Sequence, residues 1–305
     1  MNLRIATRQS PLALWQARHV QSLLQAAQPD ASVTLLPLTT SGDRELSQPL
    51  GARGGKGLFV KELEEALLDD RADLAVHSMK DVTTHLPAGL CLTAFLAAED
   101  PRDAFVSPRF SSLADLPRGA KVGTASLRRR ALLLGVRPDL ELMDIRGNVG
   151  TRLRRLDEGG FDALVLACAG LHRLGLAARI AEALPVDPFL PAIGQGIIGI
   201  ECRTDDAVTR RALEALNDRA SETRLSAERA LNAGLGGSCR APVAGHAVSR
   251  GTRLALTGWV GVPDGSRSLR ETIEGPSTQA AKLGAELARQ LLAAGAGEML
   301  ASIGA

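Results

Sequence analysis

The chain has 305 residues, of which 45% are hydrophobic and 23% charged, and its formal net charge is only +2. That length exceeds one ordinary core and predicts two or three domains, while the near-balanced charge argues against a nucleic-acid-binding protein. No run of about 18 apolar residues is present, so no membrane-spanning helix is expected, and the lack of an apolar h-region after Met1 predicts a cytoplasmic protein.

Strands are expected at 3–7, 33–38, 74–78, 90–96, 104–107, 121–124, 140–145, 163–167 and 197–202, with amphipathic helices between them. Ser10 followed by Pro11 marks the first helix start, and Leu12, Trp15, Val20 and Leu23 give that helix an apolar stripe. A second helix carries Val60, Leu63, Ala66 and Leu67 at helical spacing. Residues 41–57, by contrast, lack periodicity and are rich in Gly, which predicts a mobile flap. Alternation of strand and helix predicts open, mainly parallel α/β sheets. The polar segment 97–102 and the Gly- and Pro-punctuated 191–196 read as two crossings between two such domains, hence a hinged cleft. Beyond Glu222 the pattern changes to a long helix, a glycine-rich loop, strands at 243–248, 253–260 and 268–274, and a helix from Ser277. The expected domains are therefore 1–96 with 197–216, then 102–191, then a small α+β domain over 219–305.

Four Cys do not make a disulfide framework, and no CxxC or paired His suggests a metal site. Cys91, Cys168 and Cys202 lie in apolar runs and read as small buried hydrophobes. Cys239 differs, because Gly236-Gly237-Ser238-Cys239-Arg240 cannot be regular core.

The basic residues are 31 Arg against 5 Lys, and their placement is informative. Ligands of open α/β sheets bind beyond the C-terminal ends of the strands. Arg8, then Lys80 with Asp81, then Arg128 and Arg129, then Arg146 and Arg152 each follow an expected strand. Arg128, Arg129 and Arg130 fall in a helix's first turn, where a cation costs a few tenths to about 1 kcal/mol. An anionic ligand would offset that cost. Several separate carboxylates suit such scattered arginines better than phosphate, since no GxxxxGK[ST] is present.

The segments Arg4-Ile5-Ala6-Thr7-Arg8-Gln9-Ser10-Pro11-Leu12-Ala13, Gly54-Gly55-Lys56-Gly57-Leu58-Phe59, His77-Ser78-Met79-Lys80-Asp81, Asp144-Ile145-Arg146-Gly147-Asn148-Val149 and Leu190-Pro191-Ala192-Ile193-Gly194-Gln195-Gly196, with the Cys239 loop, resemble the porphobilinogen deaminase family in its order. The resemblance implies two hinged, doubly wound α/β domains of the periplasmic-binding-protein kind plus a small α+β third domain. It implies an enzyme that condenses four porphobilinogen molecules on a dipyrromethane cofactor, with loss of ammonia, and releases hydroxymethylbilane. It places the cofactor as a thioether on Cys239, held by Lys80, Asp81, Thr124, Ser126, Arg128, Arg129, Arg146 and Gly147. Substrate contacts fall on Arg8, Ser10, Gln16, Lys56, Ser78, Arg146 and Arg152, and catalysis on Asp81 with Arg8 and Lys80. It also suggests a monomer, with no membrane or nucleic-acid partner. Ser238, Gly236 and Ala125 depart from the family's usual residues, and Arg53 stands beside Ala52 where a Lys is common.

Two other readings compete. A non-catalytic, two-lobed anion-binding protein would share the arginines but gives Cys239 no role. A cysteine-nucleophile hydrolase needs a His partner, and none of the five His has a recognisable context.

Overall fold

The chain begins with strand β1 (Asn2–Arg8), helix α1 (Pro11–Ala27) and strand β2 (Ser32–Leu38), and Ser10 caps α1, its hydroxyl accepting from Ala13 N. In this computed structural model the described residues are 1–40, 60–237 and 241–303, so the expected flap at 41–57 lies outside them. The chain continues through α2 (Lys61–Leu68), β3 (Leu74–Ser78), a 3-10 turn Met79–Asp81 and β4 (Leu90–Phe95). A second α/β segment follows: β5 (Asp103–Val106), β6 (Lys121–Gly123), α3 (Leu127–Val136), β7 (Glu141–Met143), α4 (Val149–Asp157), β8 (Ala163–Ala167), α5 (Cys168–Arg173) and the short β9 (Glu182–Ala183). Then come β10 (Ile198–Arg203), α6 (Ala207–Glu214) and α7 (Arg219–Gly234). The last elements are β11 (Val243–Arg250), β12 (Arg253–Gly261), β13 (Ser268–Pro276), α8 (Ala280–Ala293) and α9 (Ala296–Ser302).

These elements form two compact units, Met1–Ala98 with Ile197–Glu222, and Glu99–Gly196 with Thr223–Ala305. The first unit holds a five-stranded sheet ordered β2-β1-β3-β10-β4. Its strands are parallel except β10, which runs antiparallel between β3 and β4. One face packs on α1 through Leu3, Ile5, Ala17, Val20 and Leu24. The other packs on α2 through Ala6, Leu63, Ala66, Leu67 and Ala75. Covering both faces lets consecutive residues be buried, as in Ile5-Ala6 of β1 and Leu74-Ala75-Val76 of β3. The fully buried residues of α1 are Ala13, Gln16, Ala17, Val20 and Leu24, while Trp15 and Leu23 of the expected stripe are partly buried and pack against the same core. Gln16 is buried with a partner, its Nε2 donating to Ser78 Oγ at 2.8 Å.

The second unit holds a five-stranded sheet ordered β7-β6-β8-β5-β9, with β6, β7 and β8 parallel and β5 antiparallel to β8. It also holds the three-stranded antiparallel sheet β11-β12-β13. That small sheet shares a core with α7, α8 and α9 around Leu231, Leu256, Leu287 and Leu300. Trp259 of β12 joins the core beneath Phe105 and Val122. This is the expected class: two α/β sheets and a small α+β portion. The expected strand at 140–145 is shorter because the chain leaves β7 at Met143 to turn into α4.

Candidate active site

In the first unit, β1 and β3 are parallel and end at the same edge. Arg8 closes β1, Ser10 opens α1, and Ser78 closes β3 ahead of the turn carrying Lys80 and Asp81. A pocket of about 60 Å³ is lined there by Arg8, Ser10, Gln16, His77, Ser78 and Asp81 among others. Five residues expected to serve the site thus meet around one cavity, and Lys80 is in the same turn.

His77 also lines this pocket, and its Nε2 lies 2.9 Å from Glu201 Oε2. Glu201 is fully buried, and among the described residues neither its Oε1 nor Glu64 Oε1 has a hydrogen-bond partner. Burial first, then the charge of Glu201, pushes the Glu64 carboxyl up to about 7.

In the second unit the parallel strands β6, β7 and β8 present their C-terminal ends together. Thr124 follows β6, and Ser126 caps α3 by accepting from Arg129 N. Asn148 caps α4 by accepting from Thr151 N, as the spacing predicts. Gly147 has φ +103, and a Cβ there would sit 2.9 Å from Thr151 Cγ2, so the backbone at this strand end stays bare. Arg152 Nε donates to Gly147 O at 2.7 Å, which sets Arg152 beside the half-buried Arg146.

Arg128 and Arg129 require a correction. The sequence reading has an anionic ligand offsetting their position in a helix's first turn; the structure supplies a protein carboxylate. Both are buried, and both donate to Asp103: Arg128 Nη2 at 2.8 Å to Oδ2, Arg129 Nη2 at 2.7 Å to Oδ1. Arg128 Nη1 also donates to Leu190 O, and Arg129 Nη1 to Val165 O. Asp103 reaches this edge because β5 runs antiparallel to β8, placing it opposite Ala167. Burial opposes its ionisation, but the charges of Arg128 and Arg129 outweigh burial and hold it well below the usual carboxylate range. Arg130 Nη1 donates to Leu142 O at 3.1 Å.

The segment 190–196 belongs to the same network. Gln195 Nε2 donates to Asp103 Oδ1 at 2.9 Å and to Pro101 O at 2.6 Å. Gly194 N donates to Glu228 Oε2 at 2.7 Å, and Arg224 Nε donates to Glu228 Oε1 at 2.9 Å. Through Glu228 on α7, the helix that leads toward Cys239 is tied to the loop that supports the arginine pair. Asp103, Gln195 and Glu228 were not singled out from the sequence. Arg173 was also missed. It ends α5 just beyond β8, its Nη2 donates to Gly196 O, and burial pushes it down to about 10. The signal that could have found it is the one used for Arg146, a cation just beyond a parallel strand. Lys56 and Cys239 lie outside the described residues.

The family model described as "Porphobilinogen deaminase, dipyromethane cofactor binding domain" matches residues 3–211. The chain belongs to the porphobilinogen deaminase family. The family's C-terminal domain matches residues 223–293. As a member, the chain is a transferase, a hydroxymethylbilane synthase that joins four porphobilinogen molecules on a dipyrromethane cofactor with loss of ammonia. Membership also decides against the non-catalytic anion-binding reading. Among solved structures, a putative methionine-binding lipoprotein from Bacillus subtilis is 14% identical over 72% of this chain and 92% of its own, with a TM-score of 0.45. The VFT2 domain of BvgS from Bordetella pertussis is 18% identical over 75% and 91%, also at 0.45. YhfZ from Shigella flexneri is 20% identical over 75% and 93%, at 0.38. Among the described residues, no helix is long and apolar enough to cross a membrane.

Proposed function

We propose that Asp81 is the catalytic carboxylate, with Arg8 and Lys80 as its cationic neighbours, and that Cys239 holds the dipyrromethane as a thioether. The observation that carries this reading is the pocket at the ends of β1 and β3, where one carboxylate, one guanidinium and neutral hydroxyl and amide groups converge. When bound, the cofactor supplies the free pyrrole carbon to which porphobilinogen is joined.

Asp81 can accept a pyrrole N–H and stabilise the positive charge that develops as ammonia leaves. It can also pass a proton to the departing amine and take back the one displaced from the attacked carbon. Arg8, Ser10, Gln16 and Ser78 orient the incoming substrate, with Lys56 as a further cation.

The second unit's strand edge fits a polycarboxylate. Thr124 and Ser126 offer hydroxyls, Arg146 and Arg152 offer guanidinium groups, and Gly147 admits close approach of a ligand to backbone. Arg128 and Arg129 with one Asp103 leave that layer with net positive charge, so they act through the field as well as by contact. Each charge-assisted bond to an acetate or propionate is worth roughly 1.5–3 kcal/mol. We further read the chain as a cytoplasmic monomer of three functional domains, 1–96 with 197–216, 102–191 and 219–305, with porphobilinogen as its partner and no nucleic acid or membrane.

The intact mass of purified protein tests the attachment: it should exceed the chain mass by a dipyrromethane, and Ehrlich's reagent should colour it. Cys239→Ser should abolish both signals; an adduct retained by that variant would overturn the attachment site. Asp81→Asn should keep the adduct and lose turnover by about 10²–10⁴-fold, the usual worth of a positioned acid–base group. Near-normal rates would remove Asp81 from the mechanism.

A further inference from the structure

Cys91 on β4 and Cys202 on β10 stand directly opposite each other in the antiparallel register. The sequence reads both as small hydrophobes, but the structure gives them polar company. Thr93 Oγ1 lies 3.4 Å from Cys91 Sγ and 3.0 Å from Cys202 Sγ, so one hydroxyl touches both sulfurs. Farther along the same ladder, Thr204 N donates to Gly89 O at 2.8 Å, which makes that rung a hydrogen-bonded pair. Antiparallel rungs alternate, so Cys91 and Cys202, two residues back on each strand, form another such pair. Their Cα atoms are then about 5.5 Å apart, inside the roughly 4.4–6.8 Å that a disulfide spans, and closure needs the Cβ atoms to draw in from the about 5.5 Å of such a rung to about 4 Å. Exposure is unequal. Cys202 is fully buried, whereas Cys91 is half-buried on the sheet's edge strand.

We propose that Cys91 and Cys202 are a redox modification site that closes as a cross-strand disulfide under hydrogen peroxide. The Cys91 sulfur attacks the peroxide O–O bond, becomes a sulfenic acid and releases one water. The Cys202 sulfur then attacks the Cys91 sulfur, the S–S bond forms, and the sulfenic oxygen leaves as a second water. Two thiols lose their hydrogens and two electrons, and the peroxide takes up both. Burial pushes the Cys202 thiol up to about 12, so closure is slow near neutrality and accelerates as pH rises. The bond would fasten edge strand β4 to β10 without touching the residues that line the pocket.

The test uses the holoenzyme, in which Cys239 is to be occupied as a thioether, treated with hydrogen peroxide at about pH 7 and about pH 9. Non-reducing peptide mapping should find the Cys91 peptide linked to the Cys202 peptide, with faster linkage at the higher pH and reversal by a dithiol reductant. Cys91→Ser should prevent the link, and the linked protein should melt several degrees higher than the reduced one. Cys91 recovered as a sulfinic acid beside an intact Cys202 thiol would overturn the proposal. So would linkage of either residue to Cys168 or Cys239, or no linkage at the higher pH. Because the readout is a peptide pair rather than turnover, it is independent of whether Asp81 and Cys239 have the roles assigned to them.

Discussion

Each unit buries a polar cluster against its sheet, and the two clusters err in opposite electrical directions. In the first, two carboxylates face one imidazole, and an oxygen on each of Glu64 and Glu201 has no partner among the described residues. In the second, one carboxylate faces two guanidinium groups and an amide, and Asp103 is bonded several times over. Among the described residues the first cluster is short of hydrogen-bond donors, and the second has positive charge to spare. Burial magnifies both imbalances because charges in a low-dielectric interior are screened weakly. What the contrast teaches is that neighbouring α/β units of one chain can respond to pH with opposite sign.

The largest expected effect comes from breaking the second cluster. Asp103→Ala leaves two buried cations without their counter-charge and should cost about 3–5 kcal/mol, measured by urea unfolding. A loss below about 1 kcal/mol would mean that Leu190 O, Val165 O and water suffice. Next comes the pH contrast itself. The carboxyl of Asp103 is depressed, so its contribution is present above the ordinary aspartate value of 3.8 and is lost as pH falls below it. The carboxyl of Glu64 is raised, so its contribution is complete below the ordinary 4.5 and is lost as pH rises through about 7. Hydrogen exchange, corrected for its intrinsic pH dependence, should therefore show β5 and β8 losing protection first in acid, and β3 and β10 first in mild base. The reverse order would break the comparison. The smallest effect is Glu64→Gln, which keeps the shape and removes the charge. After allowance for partial water access it should stabilise the protein by about 1 kcal/mol near pH 8 and change nothing near pH 4. A loss of stability near pH 8 would show that the ionised carboxylate is wanted there.

The local features were legible in the sequence because their causes are local. Ser10 before Pro11 and Asn148 before Val149 are capping signals, and both cap as the spacing requires. Strand ends carrying Arg8, Asp81 and Arg146 follow from alternation alone, and the structure gathers Arg8 and Asp81 around one pocket. What was not legible depends on sheet pairing across long separations. Asp103 meets Arg128 only because β5 turns back along β8, and His77 meets Glu201 only because β10 inserts beside β3. An arginine run in a first turn looks uncompensated until that pairing is known. The same limit hid the Cys91–Cys202 opposition, since either residue alone is an ordinary small apolar side chain.

The place of β10 has a consequence for the order in which the chain can be assembled. Strands β3 and β4 are not neighbours; β10 fills the gap between them. While the ribosome is still delivering the middle of the chain, the first sheet lacks its fourth member, and both β3 and β4 present raw, hydrogen-bonding edges. A nascent chain must shield those edges until residue 203 has emerged. For the same reason a fragment ending at Ala98 is a sheet with its fourth strand missing, and it should be prone to aggregate rather than fold alone.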